Sequence, residues 1–260
     1  MNFAEYYNGY YFHNVNLFRT ITVSYLPLIF TLKHWMKDRK PYKSPFANNC
    51  LGCWNLFLGI SSGIGAYYSI PFLLNDIREN GLTNSICEGN FMKNDIVSHV
   101  SVLYSLSKFF EFIDTLFIVF RKADLQFLHY YHHIFTCIIS WYASCLLVST
   151  GIYFSSINLF IHTVMYSYYA LLAFNINFVY PYRKLITVMQ TGQMLLGQYV
   201  GIIWLSQCND YSQPYYIIIS NPLYIYNLVT LCMFISYTYL FSLLFFTTKK
   251  KEIRMKKIIY

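Results

Sequence analysis

Charge is what this sequence has least of. Only 12% of its 260 residues are Asp, Glu, Lys or Arg, about half of the ~25% usual in a soluble domain. So little charge cannot coat a water-facing surface of this size, which argues against an ordinary soluble protein. The seven cysteines follow no regular pattern, so neither a zinc site nor a dense disulfide framework is implied. The opening stretch MNFAEYYNGYYFHNVNLF has no basic n-region and no cleavage-site pattern, so no removable signal peptide is expected. Internal repeats are lacking as well.

What the chain has instead is apolar and aromatic mass. It is 56% hydrophobic and 21% aromatic, with mean hydropathy +0.37. Apolar segments long enough to cross a bilayer recur at about Leu17–Met36, Cys50–Leu74, Ile96–Phe120, Leu125–Val148, Ile152–Phe174, Leu185–Ser206 and Tyr216–Phe246. This patterning predicts an all-α polytopic membrane protein with seven transmembrane helices. The whole chain, 1–260, reads as one integral-membrane domain, with a short N-terminus (1–16) and a basic tail (248–260). Asn75–Asp95 reads as a polar loop and Asn175–Lys184 as another.

The net charge of +8 raises the question of nucleic acid, but the placement of the basic residues answers it. Threaded through seven crossings, fifteen of the nineteen Lys and Arg fall on one side, among them Lys37, Arg39, Arg121, Lys122, Arg183, Lys184 and six in the tail. Three, Arg19, Arg78 and Lys93, fall on the other, and Lys108 lies within a segment. That bias puts the tail in the cytosol and the N-terminus on the opposite side. It accounts for the charge as topology, with no nucleic-acid partner needed.

Four polar patches interrupt the apolar segments. Lys108, Glu111, Asp114 and Thr115 are spaced to share one helix face. Charged groups within a bilayer are tolerable only when paired or in a wet cavity, and Lys108 with Glu111 is a natural i,i+3 pair. His129, His132 and His133 crowd one end of the fourth segment and are three of only seven histidines. Asn158, His162, Met165, Tyr166 and Tyr169 lie along one face of the fifth. Thr187, Gln190 and Gln193 do so in the sixth, where polar glue between helices explains them equally well. All four patches share a depth, three toward the cytosolic ends of their segments and His162 mid-helix in the fifth, which points to one cavity entered from the cytosol.

Two chemistries fit clustered imidazoles. One is a metal site. Membrane di-iron desaturases and hydroxylases carry HxxHH boxes, but need several of them. Four intramembrane histidines, with His99 as a distant fifth, would hold one zinc or iron at most. The other is nucleophilic and acid–base work by imidazole itself. A seven-helix receptor or transporter without chemistry is the plainer rival.

The four patches also form motifs. Lys108 to Thr115 reads KxxExxDT, His129 to His133 reads HxxHH, Asn158 to Tyr169 reads NxxxHxxMYxYY, and Thr187 to Gln193 reads TxxQxxQ. In this order they resemble the ELO family of very-long-chain fatty acid elongases, and the similarity extends to Lys37–Pro41. The resemblance implies a 3-ketoacyl-CoA synthase that joins acyl-CoA to malonyl-CoA and releases CO2 and CoA, with no cofactor and no metal. It implies six of the seven helices forming a barrel around an acyl tunnel. His132 matches the nucleophile that becomes acyl-imidazole, and His162 the second active-site histidine. His129 and His133 would activate or orient, Asp114 and Glu111 fix imidazole tautomers, and Lys108 neutralise the acidic pair. Asn158, Met165, Tyr166, Tyr169, Thr187, Gln190 and Gln193 would contact substrate, with Arg121, Lys122, Arg183 and Lys184 flanking a mouth for CoA. The implied setting is the endoplasmic reticulum membrane, N-terminus lumenal and C-terminus cytosolic. Membrane lipid would surround the chain, and the ketoreductase, dehydratase and enoyl reductase of the elongation cycle would be its partners. In that setting Cys87 and Cys208 fall on the oxidising side and are expected to pair. The rival reading remains a metal-dependent membrane oxidoreductase using the same histidines.

Overall fold

The computed structural model describes residues 14–209 and 220–259, with side chains placed through residue 246. The N-terminal residues 1–13, the loop with Asp210 and Pro214, and the side chains of the basic tail lie outside the described residues. Among the described residues the fold is helical, without strands.

Helix α1 spans Val15–Trp35 and carries Lys33 and His34 in its last turn, where cations oppose the helix dipole. Helix α2 runs Pro45–Cys87. Pro45 occupies its first turn, where the missing N–H costs nothing, and the Ser44 hydroxyl caps it by accepting from the Ala47 amide at 3.2 Å. Its second half extends through the expected polar loop. There the Asn80 amide donates to Asp76 Oδ1 one turn earlier at 2.7 Å. Gly81, at φ +76°, kinks the helix, a backbone angle that favours glycine. Cys87 therefore ends a helix rather than lying mid-loop.

A short 3₁₀ turn, Asn90–Lys93, leads to α3, Asp95–Phe110, capped by the Asn94 side chain. The third apolar segment is not one helix. It breaks at Glu111, and α4, Phe112–Phe120, continues it. The break coincides with the buried ion pair Lys108–Glu111, which turns both side chains inward. Helix α5 spans Phe127–Leu146 and ends on Leu147 in the left-handed region. Helix α6 spans Gly151–Ala173 and α7 Arg183–Gln207, joined by a second 3₁₀ turn, Asn177–Tyr182, in place of an open loop. Helix α8 spans Pro222–Ile259.

Packing gives each helix its neighbours. α2 lies against α6, α3 and α7; α3 against α5; α5 against α8; α8 against α7; and α7 against α6. The α2–α6 approach is close because of glycine. A Cβ at Gly52 would sit 2.5 Å from the Phe174 ring, and one at Gly59 would meet the Ser167 amide at 3.3 Å. A disulfide joins Cys87 to Cys208, tying the end of α2 to the residue after α7. Beside it an apolar cluster of Leu73, Ile86, Phe91, Ile152, Val200 and Trp204 closes that end of the bundle.

Among the described residues three helices are long and apolar enough to cross a membrane: Val15–Trp35, Pro45–Cys87 and Pro222–Phe246. Large apolar side chains such as Phe46, Phe57, Ile64, Leu103, Tyr239 and Phe246 face outward. Lys108, Glu111, Asn158, His162 and Asn227 are buried. A surface that apolar over a polar interior is suited to lipid rather than water.

Candidate active site

Inward-facing polar residues need space and partners, and the bundle supplies both. A chamber of about 530 Å³ is walled by α2, α4, α5, α6, α7 and α8. Glu111, Asp114, Arg121, His129, His132, His133, Asn158, His162, Met165, Tyr166, Tyr169, Gln190 and Gln193 all line it. A second, narrower pocket of about 90 Å³ runs on between α3, α5, α6 and α8 toward Phe91 and Val148. His132, Asn158, Gln193 and Met194 belong to both, so they mark the junction.

The charged residues are satisfied by one another. Lys108 and Glu111 are 2% and 3% exposed, which would be prohibitive for unpaired charges. Lys108 Nζ donates to Glu111 Oε1 at 2.6 Å and to Asn158 Oδ1 at 3.0 Å, and lies 4.3 Å above the Tyr104 ring. Lys108 itself lines neither cavity; it holds two residues that do. With its amide oxygen taken by Lys108, Asn158 has N–H groups to offer at the junction. His162 Nδ1 lies 3.5 Å from Glu111 Oε1, so this carboxylate faces an imidazole. Glu111 Oε2 and His133 Nδ1 are buried without a hydrogen-bond partner. Both belong to side chains on the chamber wall, where a bound molecule would meet them.

Asp114 has different company. Its Oδ1 accepts from the Trp54 indole at 2.6 Å and its Oδ2 from the Tyr166 hydroxyl at 2.8 Å. Its hydrogen bonds thus go to an indole and a phenol rather than to an imidazole. The Tyr166 ring packs edge-on against His162, centroids 5.1 Å apart, so Asp114 bears on His162 through Tyr166. The histidines of α5 stack along the helix, with rings of His129 and His133 at 4.3 Å and of His132 and His133 at 5.6 Å. His132 also leans on Tyr237 of α8, at 5.1 Å, and its carbonyl accepts from the Tyr237 hydroxyl at 3.2 Å. Gln190 donates to Met165 Sδ at 3.1 Å.

Besides Lys108, four expected residues stand apart from the chamber wall. The Thr187 hydroxyl donates back to the Arg183 carbonyl at 3.3 Å within its own helix. Lys122 bonds the Lys37 carbonyl at 2.7 Å, and Arg183 and Lys184 are exposed at the start of α7. Arg121 does line the chamber, steadied by Asn48 at 2.6 Å.

Trp54, Tyr237 and Tyr25 are part of this arrangement, yet nothing in the sequence sets them apart from their aromatic neighbours. The one C-x-x-C spacing, Cys50 to Cys53, lies on α2 as two free thiols. Among the described residues no group of three or more His, Cys, Asp or Glu gathers as a metal-holding set.

Comparison with known proteins gives a consistent result. The family described as "ELO: GNS1/SUR4 family" matches residues 10–257. The chain is 33% identical over 232 residues to very long chain fatty acid elongase 6 of Gallus gallus, covering 88% of this chain and 85% of that protein. The human protein of the same name is 33% identical over 221 residues, covering 83% and 82%. Fatty acid elongase 3 of Trypanosoma brucei brucei is 32% identical over 251 residues, covering 86% and 80%. With a match over nearly its whole length and relatives of this identity and coverage, the chain belongs to the ELO family of fatty acid elongases.

Proposed function

We propose that this chain is the condensing enzyme of fatty acid elongation, a 3-ketoacyl-CoA synthase acting through an acyl-histidine. His132 carries the assignment, because it alone among the histidines lines both cavities. A thioester carbonyl at that junction has the narrow pocket ahead for its hydrocarbon and the larger chamber behind for CoA. A ring nitrogen of neutral His132 attacks the thioester carbon, the C–S bond breaks, and CoA leaves as the thiol with the imidazole proton. Malonyl-CoA then enters the vacated chamber and loses CO2. The resulting enolate attacks the acyl carbon, the C–N bond breaks, the departing imidazole nitrogen takes up a proton from water to restore neutral His132, and 3-ketoacyl-CoA is released. Asn158 and His162, both on the chamber wall, stabilise the oxyanions in this reading. Glu111 orients His162, and the apolar surroundings protect the acyl-imidazole from water.

The ring of contacts α2–α3–α5–α8–α7–α6 supports a six-helix barrel with α1 outside it. Seven crossings follow if α3 and α4 together make one span. The Cys87–Cys208 disulfide supports a lumenal position for that end, in the endoplasmic reticulum, with the chamber mouth at Arg121 facing cytosolic CoA. The product calls for a ketoreductase, a dehydratase and an enoyl reductase as partners. The metal-dependent oxidoreductase reading has no gathered ligand set among the described residues to support it.

The test is incubation of purified protein with a panel of acyl-CoAs and isotope-labelled malonyl-CoA, read by mass. The expected products are 3-ketoacyl-CoAs two carbons longer, with an acyl adduct on the peptide containing His132 when malonyl-CoA is withheld. His132→Ala should lower condensation by about a thousandfold or more while melting stays unchanged. Full activity in that variant overturns the assignment.

A further inference from the structure

A chain of hydroxyls reaches the histidine cluster from outside the chamber wall. Tyr25 of α1 is 3% exposed and Thr115 of α4 is fully buried. The Tyr25 hydroxyl lies 2.6 Å from Thr115 Oγ1, which lies 2.9 Å from His129 Nε2. The Tyr25 ring is fixed by stacking on Phe112, centroids 4.2 Å apart, and by Ile29 and Val119 around it. Among the described residues Thr115 is the one hydrogen-bond partner of the phenol.

Proton counting gives this chain a direction. A threonine hydroxyl has one proton to donate. If His129 donated from Nε2 to Thr115, Thr115 would either donate to Tyr25 and leave the phenol proton without an acceptor, or accept from both neighbours and leave its own proton without one, since among the described residues its oxygen has no other hydrogen-bond contact; either outcome destabilises the fold. The reverse order wastes nothing: Tyr25 donates to Thr115, and Thr115 donates to His129 Nε2. The bond made by one ring nitrogen sets the state of the other. His129 then carries its proton on Nδ1.

We propose that Tyr25 is a positioning residue that, through Thr115, holds His129 in its Nδ1-protonated tautomer, so that an N–H donor is offered to a substrate oxygen in the chamber. Helix α1, outside the ring of helices, thereby acts on the chemistry. The kinetic consequence rests on the condensing-enzyme reading; the tautomer does not.

The full chain, labelled with ¹⁵N-histidine and held in nanodiscs, tests both. Nitrogen shifts, with His129 assigned by its loss in His129→Asn, should show Nδ1 protonated and Nε2 bare. Tyr25→Phe removes one oxygen and keeps the ring stack. Without the phenol to hold it, the Thr115 hydroxyl can turn to a carbonyl of its own helix and accept from His129, which should mix or invert the tautomer and lower kcat about tenfold, with KM for acyl-CoA within about twofold and melting retained. Thr115→Val should do the same, the double variant no more, and Thr115→Ser should restore both readouts. Protonated Nε2 in the unaltered protein, or an unchanged tautomer in Tyr25→Phe, overturns the proposal. If no acyl-CoA is condensed by the unaltered protein, the functional reading fails instead, and the spectra still decide the relay.

Discussion

The chamber and the narrow pocket beyond it are both rich in polar side chains, yet they differ in where those side chains turn. In the chamber the polar groups bond across helices: Lys108 to Asn158, Trp54 and Tyr166 to Asp114, Thr115 to His129. In the inner pocket the hydroxyls mostly turn back on their own helices. Ser140 and Ser155 donate to the carbonyls of Cys137 and Ile152. The single Ser105 proton has two carbonyls in reach, Ser101 of its own helix at 3.2 Å and Ser140 of α5 at 3.1 Å, while Ser144 turns back to the Ser140 carbonyl with its oxygen 2.7 Å from Ser105 Oγ. A hydroxyl engaged in this way presents mostly its methylene to the cavity. One space is therefore suited to reacting groups and the other to hydrocarbon, although both read as polar in sequence.

Several substitutions would break or sharpen this contrast. The largest effect should come from Lys108→Met, which leaves Glu111 buried and uncompensated and should cost about 3–5 kcal/mol. Denaturant unfolding in detergent would measure it, and adding Glu111→Gln should recover much of the loss. Trp54→Phe, which takes one donor from Asp114, should cost about 1–3 kcal/mol and lower kcat through the Tyr166–His162 contact; a variant as active and stable as the original would remove Trp54 from the network. On the pocket side, Gly151 has open space where a Cβ would stand. Gly151→Leu should fill it, shifting products toward shorter chains without slowing the shortest substrates, as a product profile by mass would show. The smallest change is expected from Ser144→Ala. It should cost about 1 kcal/mol or less and leave the product profile unaltered, because Ser105 keeps two carbonyl partners. A changed profile would mean that this hydroxyl faces the substrate after all.

Much of this could be read from the chain beforehand, for local reasons. Apolar length gave α1, α5, α6 and α7 to within a few residues, since burial and backbone satisfaction in an apolar setting leave little alternative. The Lys108–Glu111 pair was visible because an i,i+3 contact depends on one helix alone. The partners of Asp114 were not. Its assignment to an imidazole assumed that acid and histidine would meet, whereas the rotation of α2 and α6 brings Trp54 and Tyr166 to it first. The helix break at Glu111 and the extension of α2 past Leu74 to Cys87 were hidden for the same reason, as each depends on packing between segments. Tyr25 was one of 27 tyrosines, and only the approach of α1 to α4 singles it out.

The Cys87–Cys208 bridge has a consequence for how the molecule comes apart. The two cysteines are 121 positions apart in the chain, and every residue of the four motifs, from Lys108 to Gln193, lies between them. The stretch of polypeptide that carries the motifs is thus a covalent ring from which α1, most of α2 and α8 extend as arms. A protease cutting once within that ring, at the α4–α5 or the α6–α7 connection, would release no fragment until a reductant opened the sulfur link.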